Sequence, residues 1–251
     1  MAISVVAQSP GAPNSDAEHT GSIGRKAQGL VELAELGLPV PAAFVLHSDA
    51  HVDWLANGWT NELDAAIGEA ITDLEGATGR TFGSDASTEP ASAPPLLVSV
   101  RPSPLRSTGD PSLVGIAGPI LNVGLTAAVA QVIAERYDDE RYALHSRRAF
   151  IEHYSTAVSG VDREPYEACL TQALALADVS TGGEVPADLL RYVCERFEAI
   201  HLAESGHVFP EDPHTQLRAV IEAAFASWNS PEAQAQRNRA GSPGAAGMAV
   251  I

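Results

Sequence analysis

At Gly124 the hydrophobic pattern changes its period, and that change limits the architectures open to this chain. Before it, short apolar runs alternate with Gly- and Pro-rich connections. Ile3-Ser4-Val5-Val6, residues 42–46 and Leu96-Leu97-Val98-Ser99-Val100 read as strands, the last of them buried. An amphipathic helix is expected over 24–36, with Ala27, Leu30, Leu33 and Ala34 on one face and Gly37 as its stop. A second is expected over 61–75, with Leu63, Ala66, Ile67 and Ile71 inward. After Gly124 the pattern is helix upon helix, over 126–136, 140–158, 164–177, 186–204 and 213–228, with a short one at 231–239. Strands followed by a run of helices read as α+β. A length of 251 residues suffices for one large core or two small ones.

Two cations stand where a chain with a formal charge of −17 has little reason to put them. Arg101 closes the apolar run 96–100, and a Gly-, Pro- and Ser-rich loop is expected behind it. A cation at the carboxyl end of a buried strand, facing a Gly-containing loop, is a common setting for anionic ligands. Lys26, with Arg25, sits in the first turn of the helix expected over 24–36, where the helix dipole disfavours positive charge. An anion held at that N-terminus would account for both residues, and a solvated first turn would account for them equally.

The acidic balance argues against a nucleic-acid partner and against an anionic membrane surface. No apolar run has membrane-spanning length, and the first residues lack a basic signal-peptide region, so a cytoplasmic location is expected. Cys169 and Cys194 fall in helical patterns without metal-type spacing and read as buried free thiols, with a disulfide left open. His47 and His51 are four apart, but Ser48 or Asp49 reads as a helix N-cap that excludes His47 from the helix. A metal is therefore not expected there. The charges along 135–148, Arg147 and Arg148 included, read as a solvated helix face. Residues 76–95 read as a mobile loop.

Five segments in order resemble the N-terminal ATP-binding region of the pyruvate phosphate dikinase family. Gly24-Arg25-Lys26-Ala27-Gln28-Gly29-Leu30 with Gly37-Leu38-Pro39-Val40-Pro41 is similar to the family's GGKGANL…GLPVP. Leu96 to Arg101 is similar to its LLVSVR strand, and Ser112 to Gly124 to its Gly loop and ILNLG. Phe209-Pro210-Glu211-Asp212-Pro213 and Phe225-Ala226-Ser227-Trp228-Asn229 resemble its FPQDP and FASWN segments. The resemblance implies a partial ATP-grasp lobe, a short mixed β-sheet with helices, carrying an inserted all-helical subdomain. Its expected parts are a flexible leader at 1–20, the first part of the lobe at 21–124, the helical insert at 125–208, and at 209–251 return helices and the start of a second ATP-grasp half. It also implies that Lys26, Arg101, Ser112 and Gly115 lie against the phosphates of ATP bound with Mg²⁺. In the intact enzyme, the β-phosphoryl group of ATP passes to a histidine on a separate swinging domain and from there to pyruvate.

The chain departs from the family pattern at several places. Arg25 replaces the second Gly of GGKG, and Ala27 the Gly after the lysine. Pro102-Ser103-Pro104 stands where the family has Ser-Gly-Ala, and Gly118-Pro119 where it has an acidic residue and a Thr. No Asp or Glu here corresponds to the family's Mg²⁺ ligands, and Met248-Ala249-Val250-Ile251 corresponds to the first strand of the second half. The sequence thus supports an ATP-binding portion of a dikinase-like phosphotransferase, inactive alone, partnered by a phosphohistidine- and pyruvate-binding domain or chain. The alternatives are a non-catalytic interaction module or part of a phosphotransferase with another acceptor. A sheet cut at its middle would also favour self-association into a homo-oligomer.

Overall fold

A computed structural model describes residues 3–6, 22–83, 94–105, 118–239 and 248–251. The chain is α+β, with helices predominating over small sheets. It divides into two compact units, one of Met1–Arg80, Val100–Pro119 and Ile221–Ile251, the other of Thr81–Ser99 and Ile120–Val220.

The first unit is built on strands β1 (Ile3–Val6), β2 (Ala43–Leu46), β6 (Pro102–Pro104) and β8 (Met248–Val250), in the order β1-β2-β8-β6. Every neighbour in this sheet is antiparallel. Ile3–Val6, inside the stretch expected as a leader, pairs along its whole length with β2. Pro102–Pro104, expected as loop, is an edge strand in register with β8, Ser103 facing Ala249. Two prolines are tolerated because an edge strand needs ladder donors on one side only. β8, the last described segment, occupies an interior position between β2 and β6.

Helix α1 (Gly24–Glu35) covers part of this sheet, burying Ile23 and Ala27 against Val45 and Ala249. It ends as the sequence suggests: Gly37 has φ +74°, and the N–H groups of Gly37 and Leu38 return to the Ala34 and Leu33 carbonyls. Leu33, expected on the buried face, is 42% exposed, and Val31 packs inward instead. α2 (Ser48–Asn57) takes His47 as its N-cap, one residue before the expected cap and without a side-chain capping bond. In α3 (Asn61–Thr78) Leu63, Ile67, Ala70, Ile71 and Leu74 are buried, and the Thr60 hydroxyl accepts from Leu63 N–H at 3.2 Å. The C-terminal part of α8 (Pro213–Ser227) and α9 (Pro231–Arg239) complete the unit.

In the second unit the apolar run before Arg101 is interrupted at Leu97. β4 (Pro95–Leu96) pairs in parallel with β3 (Thr81–Phe82), whereas β5 (Val98–Val100) pairs with β7 (Ile120–Val123). Helices α4 (Ala127–Tyr137), α5 (Glu140–Val158), α6 (Glu164–Ala177) and α7 (Ala187–Ser205) follow, with bounds within a residue of those read from the sequence. Thr126 and Asp139 cap α4 and α5 by accepting from Val129 and Tyr142 N–H.

The solvated face expected along 135–148 does not extend to its end, because α5 packs against both α4 and α7. Arg147 is 3% exposed: it donates to the Leu125 carbonyl at 2.9 Å and to Glu198 and Glu211 at 2.6 and 2.5 Å. Arg148, also buried, donates to Glu152 at 3.1 Å and lies over the Phe197 ring. Both cysteines are free thiols, Cys194 buried and Cys169 only half-buried.

Candidate functional site

The site lies in the first unit, where the start of α1 meets β6. Gly24 begins the helix at φ +72°, a conformation that side chains resist. A Cβ on it would fall 2.2 Å from the Ser103 carbonyl oxygen and 2.5 Å from Ser103 Oγ. The missing side chain therefore lets α1 start directly against β6. Ser103, fully buried, uses its hydroxyl twice: it accepts from Lys26 N–H and donates to the Ile23 carbonyl, both at 3.2 Å. One of the free N–H groups of the first turn is satisfied this way, since Ile23 supplies no side-chain cap.

This clamp fixes Lys26, whose Nζ donates to the Pro102 carbonyl at 2.8 Å. Arg101, one residue earlier, is exposed, and its backbone is tied to Ile251 by two hydrogen bonds of 2.8 and 3.0 Å. Two cations distant in sequence thus come within electrostatic reach of each other. Burial, and after it the Arg101 guanidinium, hold the Lys26 ammonium below the ordinary lysine range. Neither cation has a carboxylate partner among the described residues. The first turn of α1 has no acidic residue, and Arg25 there is exposed. Such an arrangement attracts anions, and phosphate above all.

Of the residues singled out from the sequence, Lys26 and Arg101 are brought together, whereas Ser112 and Gly115 lie outside the described residues. The loop next to them is described again from Gly118 and Pro119, both exposed. His47 Nδ1 is hydrogen-bonded to Ser22 Oγ at 2.9 Å, and His51 Nδ1 accepts from Met248 N–H. Among the described residues no group of three or more His, Cys, Asp or Glu side chains could hold a metal ion. No described helix is long and apolar enough to cross a membrane.

Sequence reading misses the roles of Ser103 and Gly24, which exist only through contact between segments far apart in the chain. One signal was available: Lys26 is the sole lysine in the chain.

No family model matches the chain. Known pyruvate, phosphate dikinases do align with it over most of its length. That of Clostridium symbiosum is 33% identical over 231 residues, 91% of this chain and 25% of its own. That of Rhizobium meliloti (strain 1021) is 33% identical over 242 residues, 96% of this chain and 26% of its own. The chloroplastic one of Mesembryanthemum crystallinum is 31% identical over 228 residues, 91% and 23% of the two chains. The chain spans about a quarter of the length of these relatives.

Proposed function

We propose that this chain, a homologue of pyruvate, phosphate dikinases over most of its length, binds the phosphates of ATP through Lys26 and Arg101. The observation that carries the reading is the approach of two cations near one helix start, with no carboxylate partner among the described residues. Phosphoryl transfer depends on positioning and on neutralising phosphate charge, which Lys and Arg suit. The residue identities also fit the ATP-grasp fold that the resemblance implies, with Ser112 and Gly115 as the expected phosphate loop. A triphosphate would bring in Mg²⁺ to offset its remaining charge, and no described residue is assigned to holding that ion.

Within a dikinase the site would serve ATP-dependent phosphorylation of pyruvate, in the cytoplasm, with the phosphohistidine and pyruvate sites on other domains or chains. We expect no pyruvate- and phosphate-dependent AMP formation by this chain alone, because no residue here is assigned as phosphate acceptor. Edge strands β1 and β6 are where pairing with a second copy would occur.

Calorimetric titration with ATP, with and without Mg²⁺, tests the reading. A dissociation constant on the order of 1 mM or tighter, lost in Lys26→Ala with the fold intact, supports it. No heat from the folded chain refutes it.

A second reading has its own observation. The Lys26 Nζ bond to the Pro102 carbonyl ties α1 to β6, as a purely structural lysine would. Under this reading the chain is a non-catalytic interaction module. Lys26→Ala then lowers stability and there is no nucleotide binding to lose.

A further inference from the structure

Asn57 is the only asparagine of the chain that is followed by glycine. Asparagine is chemically labile, and a next residue without a side chain leaves its backbone nitrogen open to the asparagine amide carbon. Asn57 is the last residue of α2 and Gly58 its C-cap, and both are exposed. Gly58 has φ +71° and ψ −157°, a combination almost confined to glycine. A Cβ built on it would meet nothing within 4 Å, so no distant part of the described chain covers this nitrogen. What restrains it is a hydrogen bond: Gly58 N–H donates to the Trp54 carbonyl at 2.8 Å.

We propose that Asn57 is a deamidation site, paced by that hydrogen bond, whose product loosens α2. Fraying of the last turn frees the Gly58 N–H, which gives its proton to solvent. The nitrogen bonds to Asn57 Cγ, the bond from Cγ to the side-chain nitrogen breaks, and that nitrogen takes up a proton and leaves as ammonia. Water then opens the five-membered imide at either carbonyl, giving aspartate or isoaspartate. Nothing is oxidised or reduced.

Either product puts a negative charge among the last carbonyls of α2, where the helix dipole opposes it. Isoaspartate also adds a methylene to the main chain, and the connection to α3 has no slack for it. Residues 58–60 alone join the two helices. Gly58 caps α2, Trp59 Nε1 donates to Asp64 at 2.9 Å, and the Thr60 hydroxyl caps α3. α2 in turn carries Trp54, packed on Phe225, and His51, the acceptor for Met248 N–H. A loosened α2 therefore weakens the hold on β8, an interior strand of the sheet.

The test is prolonged incubation of the full chain at mildly alkaline pH beside a synthetic peptide of residues 52–63. Peptide mapping by mass spectrometry follows each asparagine, and enzymatic methylation detects isoaspartate. Asn57 is expected to convert several-fold faster than any other asparagine of the folded chain, and several-fold slower than in the peptide. Conversion no faster than at the other asparagines overturns the proposal, and conversion at the peptide's rate refutes the restraint by the Trp54 carbonyl. Neither comparison needs a variant. The aged chain should melt at a lower temperature than the fresh one, whereas aged Asn57→Gln, which closes the imide ring far more slowly, should show no such drop. A converted chain with an unchanged melting temperature refutes the loosening of α2.

Discussion

The main-chain N–H of Met248 donates to Nδ1 of His51 at 3.3 Å, joining the start of β8 to α2 across 197 residues of sequence. Because Nδ1 accepts, the proton of the neutral ring belongs on Nε2, which makes no hydrogen bond of good geometry in its buried position. The ring lies among Trp54, Phe225 and Trp228, and Arg237 stacks on Trp228. Protonating His51 would therefore place a charge in an aromatic cluster and remove the acceptor that holds an interior strand.

This relationship predicts acid sensitivity. Burial, chiefly, and the Arg237 charge lower the His51 pKa, with the Phe225 backbone partly offsetting them. The unfolded chain takes up this proton at about pH 6.5 while the folded chain resists, so stability falls as pH drops through that range. His145, His153 and His201, also lowered mainly by burial, act in the same direction. Urea unfolding of His51→Leu should show a shallower pH slope than the parent. It should also cost about 1–3 kcal/mol at neutral pH, because the Met248 N–H loses its acceptor. An unchanged slope would show that His51 does not titrate as described.

The clamp at the start of α1 should be sensitive at both partners. Gly24→Ala incurs about 1–2 kcal/mol for the left-handed conformation alone. Its Cβ also meets the Ser103 carbonyl, so the helix start must shift. Ser103→Ala removes the acceptor of Lys26 N–H and should cost about 1–3 kcal/mol. Chemical denaturation measures both. A neutral Gly24→Ala would mean that α1 does not start against β6.

Arg147 should be the most costly charge to remove from the helical unit. Its alanine variant frees Glu198 and Glu211 and leaves the Leu125 carbonyl without this donor. The two carboxylates are 38% and 46% exposed and can recover water, which places the loss near the lower end of about 3–5 kcal/mol. Glu211→Gln, which keeps an acceptor for Ala127 N–H, should cost less. Thermal unfolding of the two variants side by side would reveal the order.

The two thiols should react at different rates. Burial pushes the Cys194 pKa up to about 11, and its Sγ donates to the Leu144 carbonyl at 3.4 Å. Alkylation of the native chain near neutral pH should therefore label half-buried Cys169 first and reach Cys194 only on unfolding. Equal labelling of the two in the native state would contradict the packing of α7 on α5.

What the sequence by itself determined is local. The bounds of α5, α6 and α9 and the stop at Gly37 were legible because each depends on residues within about one turn of one another. Lys26 and Arg101 were legible as misplaced charges, because helix dipole and net charge are properties of the chain alone. Only the tertiary structure decided which distant segments meet. Pro102–Pro104 is a strand because β8 pairs with it, and two prolines conceal that tendency locally. Arg147 is buried because helices on both sides of α5 leave no room for water, although its neighbours in sequence are charged. Ser103 orders the candidate site through α1 rather than through its own neighbours. Hydrogen bonding and burial between segments far apart reward pairings that local periodicity does not encode, and they placed Lys26 beside Arg101.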